Sequence, residues 1–110
     1  MKKSFNEKCY NLLKKVPGGK VTTYKEIANI LGTGAYRAVG NAMNKNPNIG
    51  EVPCHRVVNS NGNVGGYALG VKSKIELLRK ENVFVRSGKV VDFQKKLFSF
   101  SHLNQVKLYK

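Results

Sequence analysis

The chain has 110 residues, with 20 Lys plus Arg against 6 Asp plus Glu, two Cys and no Trp. That length allows one domain, or one domain with a short appendage, and a core that buries roughly 65% of the unfolded surface. A net charge of +14 asks for an anionic partner, nucleic acid or an acidic membrane face, while a hydrophobic fraction of 41% excludes a simple basic disordered tail.

Ser4-Phe5-Asn6-Glu7 predicts a helix start, since Ser with Glu three residues on satisfies two backbone donors. Phe5, Cys9, Leu12, Leu13 and Val16 follow at helical spacing as one apolar stripe, and Pro17-Gly18-Gly19 stops the helix. Val21-Thr22-Thr23 is a short β-prone link. Thr23 and Glu26 form a second capping box, opening a helix that carries Ile27, Ala28, Ile30 and Leu31 and ends at Gly32. After a Thr33-Gly34 turn, Ala35 to Asn44 predicts a third helix with Ala35, Ala38, Val39, Ala42 and Met43 as its apolar face. Two short helices around a Gly-containing turn make a helix-turn-helix, the second being the recognition helix. Gly40 in its middle costs about 1 kcal/mol relative to Ala, which close approach to a protein or DNA backbone explains.

Asn46-Pro47-Asn48 ends that helix. Pro53-Cys54-His55-Arg56 leads into Val57-Val58, the Asn59 to Asn63 run turns the chain, and Val64 begins a return strand. Gly65 to Gly70 is a flexible loop. Ser73 with Glu76 is a third capping box, opening a basic helix to about Glu81. Val83 to Val91 reads as a hairpin about Ser87-Gly88. In the tail, Phe93, Leu97, Phe100 and Leu103 fit one helical face, whereas Phe98-Ser99-Phe100 fits an extended segment. The fold class is therefore mostly α with small β elements (α+β), a winged helix-turn-helix-like DNA-binding domain over 1–92 with an extension over 93–110.

No stretch approaches the ~20 apolar residues of a membrane span, and no apolar run follows Met1-Lys2-Lys3 as in a secretory signal. The expected setting is cytoplasmic, nucleoid-associated if prokaryotic, with no membrane partner and both thiols free. Cys9, Cys54, His55 and His102 match no zinc module, so no metal and no cofactor are expected. Cys9 lies on an apolar stripe and reads as core; His102 reads as surface.

Pro53-Cys54-His55-Arg56-Val57, with Thr23-Tyr24, Arg37-Ala38-Val39-Gly40, Asn46-Pro47, Gly65-Gly66-Tyr67 and Leu77 to Glu81 in order, resembles the C-terminal domain of the O6-alkylguanine-DNA alkyltransferases, the methylated-DNA–protein-cysteine methyltransferases. The resemblance runs from about Phe5 to Val91. It implies that Cys54 accepts the alkyl group, that His55 takes the thiol proton through a water, that Glu81 orients His55, and that Asn46 braces the turn. It implies that Tyr24 presses on the target nucleotide, that Arg37 enters the stack as the base flips out, and that Tyr67 lies in a loop closing over that base. Ala35, Tyr36, Ala38, Gly40, Arg56 and Ala68 join the DNA- and lesion-facing set. The partner is double-stranded DNA containing O6-alkylguanine, bound by a monomer through the minor groove. Three departures stand out: the family's usual N-terminal domain is absent, Tyr36 stands where many members have a small residue, and Ala68 stands where some have Ser.

The residues suit that chemistry. Moving an alkyl group from oxygen to protein needs a soft nucleophile, and a neutral thiol must first lose its proton to a base such as His55. A carboxylate such as Glu81 fixes the imidazole tautomer, a Tyr hydroxyl meets the charge developing on the leaving guanine, and a guanidinium stacks in the vacated hole. Two other readings compete: a non-catalytic alkyltransferase-like lesion binder, which usually lacks the cysteine, and a general winged-helix regulator, which explains the charge but not Cys54 with His55 and Glu81.

Overall fold

The computed structural model describes residues 4–100. Helix α1, Phe5–Leu13, opens on the predicted capping box: Glu7 N–H donates to Ser4 Oγ at 3.1 Å and Ser4 N–H donates to Glu7 Oε1 at 2.9 Å. Cys9, Leu12, Leu13 and Val16 are buried on its stripe. Helix α2, Tyr24–Ile30, shows the Thr23 half of the second box, with Glu26 N–H donating to Thr23 Oγ1 at 2.9 Å. Its end is sharp because Gly32 takes a φ of 74°, which lets Thr33 N–H reach Ala28 O and Gly32 N–H reach Asn29 O.

Helix α3, Tyr36–Asn44, begins one residue later than expected, with Ala35 as its cap. It buries Val39, Ala42 and Met43 against α1 and α2. Ala35 and Ala38, expected on that apolar face, are exposed and half-buried, because only the 39, 42, 43 side of the helix meets the body. A Cβ on Gly40 would meet nothing within 4 Å, so no protein neighbour requires this glycine. With α2 and α3 joined by a short turn, the architecture is α+β with a helix-turn-helix.

Strands β1, Thr22–Thr23, and β2, Val57–Val58, pair in parallel, Thr22 opposite Val57 and Thr23 opposite Val58. The predicted return strand at Val64 does not pair with β2. Val64 N–H donates instead to Gly88 O, in the turn of the hairpin of β3, Val85–Arg86, and β4, Lys89–Val90. Burial decides this: Val58, Val64, Val83 and Val90 share a second core cluster, which brings the two turns together.

Helix α4, Val71–Lys80, starts before the predicted Ser73 box. Gly70, at φ 98°, turns the chain directly into the helix, so exposed Ser73 lies inside the first turn and caps nothing. Helix α5, Phe93–Lys96, is one turn long, after which Leu97 forms a parallel bridge to Val21 and Phe98 N–H donates to Val21 O at 2.7 Å. The helix ends at Lys96 and Leu97 is extended, so Phe93, Leu97 and Phe100 do not form the single helical face expected of the first alternative. Phe100 is fully buried in the main core, edge-on to Phe98. The expectations for His102 and Leu103 fall outside the described residues. Among the described residues no helix is long and apolar enough to cross a membrane.

Candidate active site and DNA interface

Cys54, His55 and Arg56 form a single 3-10 turn leading into β2. The loop before it is fastened by buried Asn46, whose Nδ2–H donates to Val52 O at 3.1 Å and whose Oδ1 accepts from Asn48 N–H at 2.9 Å. Cys54 N–H donates to Val52 O at 2.8 Å and Arg56 N–H to Pro53 O at 2.9 Å, so the turn is hydrogen-bonded on both sides of the thiol. Cys54 is 4% exposed and His55 9%.

His55 Nε2 stands 3.1 Å from Glu81 Oε2. The distance is that of an ion pair, but the ring N–H is not aligned on the oxygen, leaving Nε2 buried without an aligned hydrogen bond. Burial lowers the His55 pKa below 6.5; Glu81 opposes this and the Arg56 and Lys74 charges add to it. Glu81 itself caps the C-terminus of α4. Burial pushes its carboxyl up, but the hydrogen bonds from Arg56 and the close approach of the His55 ring together hold it below the usual value.

Arg56, expected to face DNA, is committed inside the protein. Nε donates to Glu81 Oε1 at 3.0 Å, Nη2 to Glu81 Oε2 at 2.6 Å, and Nη1 to Val16 O at 2.8 Å. Lys74, which is not among the residues the sequence reading singles out, also lies beside this cluster. It is fully buried, donating to Val57 O at 2.6 Å and Gly66 O at 2.9 Å, with Nζ 5.9 Å from the centre of the Tyr24 ring. Desolvation pulls its pKa down to about 8, against which a Cys54 thiolate acts. The signal was present: Val71, Lys74, Ile75 and Leu78 form a helical stripe with a lysine where an apolar residue belongs.

Tyr24 and Tyr67 are half-buried and pack against the cluster that holds Cys54. Burial, then the charge of a Cys54 thiolate, raises both phenols. The Tyr67 hydroxyl is buried with no aligned partner. Ala68 is exposed on the same loop, and Tyr36 and Arg37 are exposed at the start of α3, with Ala38 and Gly40 half-buried behind them. The structure thus gathers Cys54, His55, Glu81, Lys74, Tyr24 and Tyr67 around one turn, and leaves Ala35, Tyr36 and Arg37 on the outer face of the recognition helix.

Fold and site define a helix-turn-helix domain built around a buried cysteine with an imidazole and a carboxylate beside it. Residues 4–83 match the family model described as 6-O-methylguanine DNA methyltransferase, DNA binding domain, and the chain belongs to this family. The methylated-DNA–protein-cysteine methyltransferase of Saccharolobus solfataricus is 51% identical over 79 residues, 72% of this chain and 51% of that protein. The chain spans about half the length of the curated relatives it matches. Among solved structures, Schizosaccharomyces pombe Atl1, bound to damaged DNA containing O6-carboxymethylguanine, superposes with a TM-score of 0.77 at 29% identity, covering 90% of this chain and 99% of Atl1. Mycobacterium tuberculosis OGT, in complex with DNA, superposes with a TM-score of 0.70 at 38% identity, covering 74% of this chain and 51% of OGT.

Proposed function

We propose that this protein repairs DNA by moving an alkyl group, methyl above all, from O6 of guanine to the sulfur of Cys54, once per molecule. The observation that carries this reading is the turn itself, which starts at Cys54 and sets His55 Nε2 3.1 Å from Glu81 Oε2. His55, kept neutral by burial, is in the state a base needs. It takes the thiol proton through a water. The sulfur attacks the alkyl carbon, the S–C bond forms as the C–O6 bond breaks, and the electron pair stays on guanine. Tyr24, whose raised pKa keeps its hydroxyl protonated, supplies a proton or hydrogen bond to that leaving group. The thioether is inert, so the protein is consumed.

The base reaches the thiol by flipping out of the duplex. This costs a few kcal/mol, least for a weakly paired base, and exposed Arg37 fills the gap it leaves. We read the domain as a cytoplasmic monomer that needs no cofactor. The matched domain is the N-terminal part of this chain; we take it as the counterpart of the family's C-terminal, catalytic half. Intact mass spectrometry after incubation with an O6-methylguanine duplex tests the reading. One methyl gained on the Cys54 peptide, and none in Cys54→Ser, is the expected result; no gain at any protein excess refutes it.

One observation favours a second reading. The likeness to Atl1 spans 90% of this chain, against 74% for OGT. Lesion recognition without transfer is then the alternative, and tight binding of the methylated duplex with an unreacted thiol would establish it.

A further inference from the structure

His55 does not hold Glu81 alone. Arg56 grips both carboxylate oxygens, and the oxygen nearer His55 is the one bound by Arg56 Nη2, at 2.6 Å against 3.1 Å for the imidazole. A third donor of the same guanidinium is tied to the Val16 carbonyl at 2.8 Å, fixing the fork from the far side. The pair is also walled in, since a Cβ on Gly18 would meet Arg56 Nη2 at 3.3 Å and the Glu81 carboxyl carbon at 3.5 Å. Side-chain exposures of 18% for Arg56 and 21% for Glu81 keep the pair only partly screened by water.

We propose that Arg56 is a positioning residue for thiol activation: its fork fixes Glu81 and takes the larger share of the carboxylate, so that Glu81 orients His55 without charging it. In a simple imidazole–carboxylate pair the acid draws a proton onto the ring. Here a guanidinium already neutralises that acid and adds its own positive charge beside the ring. The groups facing His55 are Glu81 at the end of α4, Arg56 in its own turn and Lys74 in α4; two of the three oppose protonation. A bidentate guanidinium does this where a lysine would not, because its planar fork holds both oxygens at once. The arrangement accounts for all three guanidinium nitrogens of Arg56 being committed to partners within the protein.

The inference rests on the proposed reaction, but its test does not use DNA. His55 and His102 are the two histidines of the chain, so in a His102→Gln background NMR follows the His55 ring alone. In Arg56→Met the His55 midpoint rises by at least half a pH unit, and the acid limb of Cys54 alkylation by iodoacetamide moves with it, read on the Cys54 peptide. Arg56→Lys falls between Met and the parent. An unchanged or lower His55 midpoint, or a moved midpoint with a fixed alkylation profile, overturns the proposal. In the parent protein the Arg56 Nε–H signal shifts at the His55 midpoint, and a signal blind to that midpoint overturns the proposal even where no variant folds. Failure of methyl transfer with these shifts intact would instead refute the repair reading alone.

Discussion

Lys74 buries its whole side chain on the apolar stripe of α4 and offers its ammonium to carbonyls of β2 and of the loop that carries Tyr67. The sign of its effect on stability follows from its lowered pKa. The unfolded chain keeps this proton up to pH 10.5 and the folded chain only to about 8, so the Lys74 contribution rises with pH between those values. Cys9 acts oppositely. Burial raises it from 9.0 to about 11, so its contribution falls between them. From pH 8 to 9 Lys74 is the larger of the two, and the onset of Cys9 ionisation near pH 9 is common to the protein and a Lys74 variant. Over that interval the urea stability of the protein should gain on that of Lys74→Met by about 1 kcal/mol, and a flat difference would contradict the assignment. On the acid side His55 works the same way as Lys74. Its folded pKa lies below 6.5, so stability is lost as pH falls through that value and the unfolded ring takes up its proton first.

Elements place these residues by their ends. The N-terminal turn of α4 supplies Lys74 and its C-cap supplies Glu81, so a single helix delivers both an ammonium and a carboxylate to the turn of Cys54. That helix depends on Gly70 at φ 98°, where an added Cβ meets no neighbour and only the backbone conformation resists substitution. Gly70→Ala is expected to destabilise the fold by about 1 kcal/mol, measured by chemical denaturation, and to slow Cys54 alkylation through the displaced loop. Asn46 does the same for the segment before the thiol. Asn46→Ala leaves the Val52 carbonyl without its side-chain donor and should lower stability by about 1–3 kcal/mol. If the alkylation rate of Cys54 were untouched in that variant, Asn46 would hold the loop without setting the nucleophile.

Across the whole molecule, charge and core have separate tasks. The +14 surplus gives sequence-independent attraction to phosphate. Binding of an unmodified duplex should weaken by roughly a thousandfold or more between 50 and 200 mM salt if about six phosphates are contacted. Arg37→Ala should depress transfer from a duplex far more than transfer from the free methylated base, because only the duplex has a stack to fill; equal losses would remove Arg37 from that role. The segment after the hairpin joins the body through Val21 and Phe100. Truncation before Phe93 should therefore lower the thermal midpoint, a result a melting curve reads directly.

The amino-acid order alone determined what local chemistry can encode. The Ser4 box, the stop at Gly32, the helix-turn-helix and the Ser87-Gly88 hairpin each rest on a few adjacent residues, and the motif around Cys54 marked the thiol. The tertiary structure decided what depends on contacts distant in sequence. Val64 joined the hairpin instead of β2 because four valines from separate segments bury together. Ser73 lost its capping role to Gly70. Arg56 turned inward because Glu81, twenty-five residues on, was folded against it. Lys74 became part of the site because packing stripped it of water and left two carbonyls as partners. Side chains carry their chemistry in the sequence, but only folding fixes which charges face one another and how much solvent stands between them.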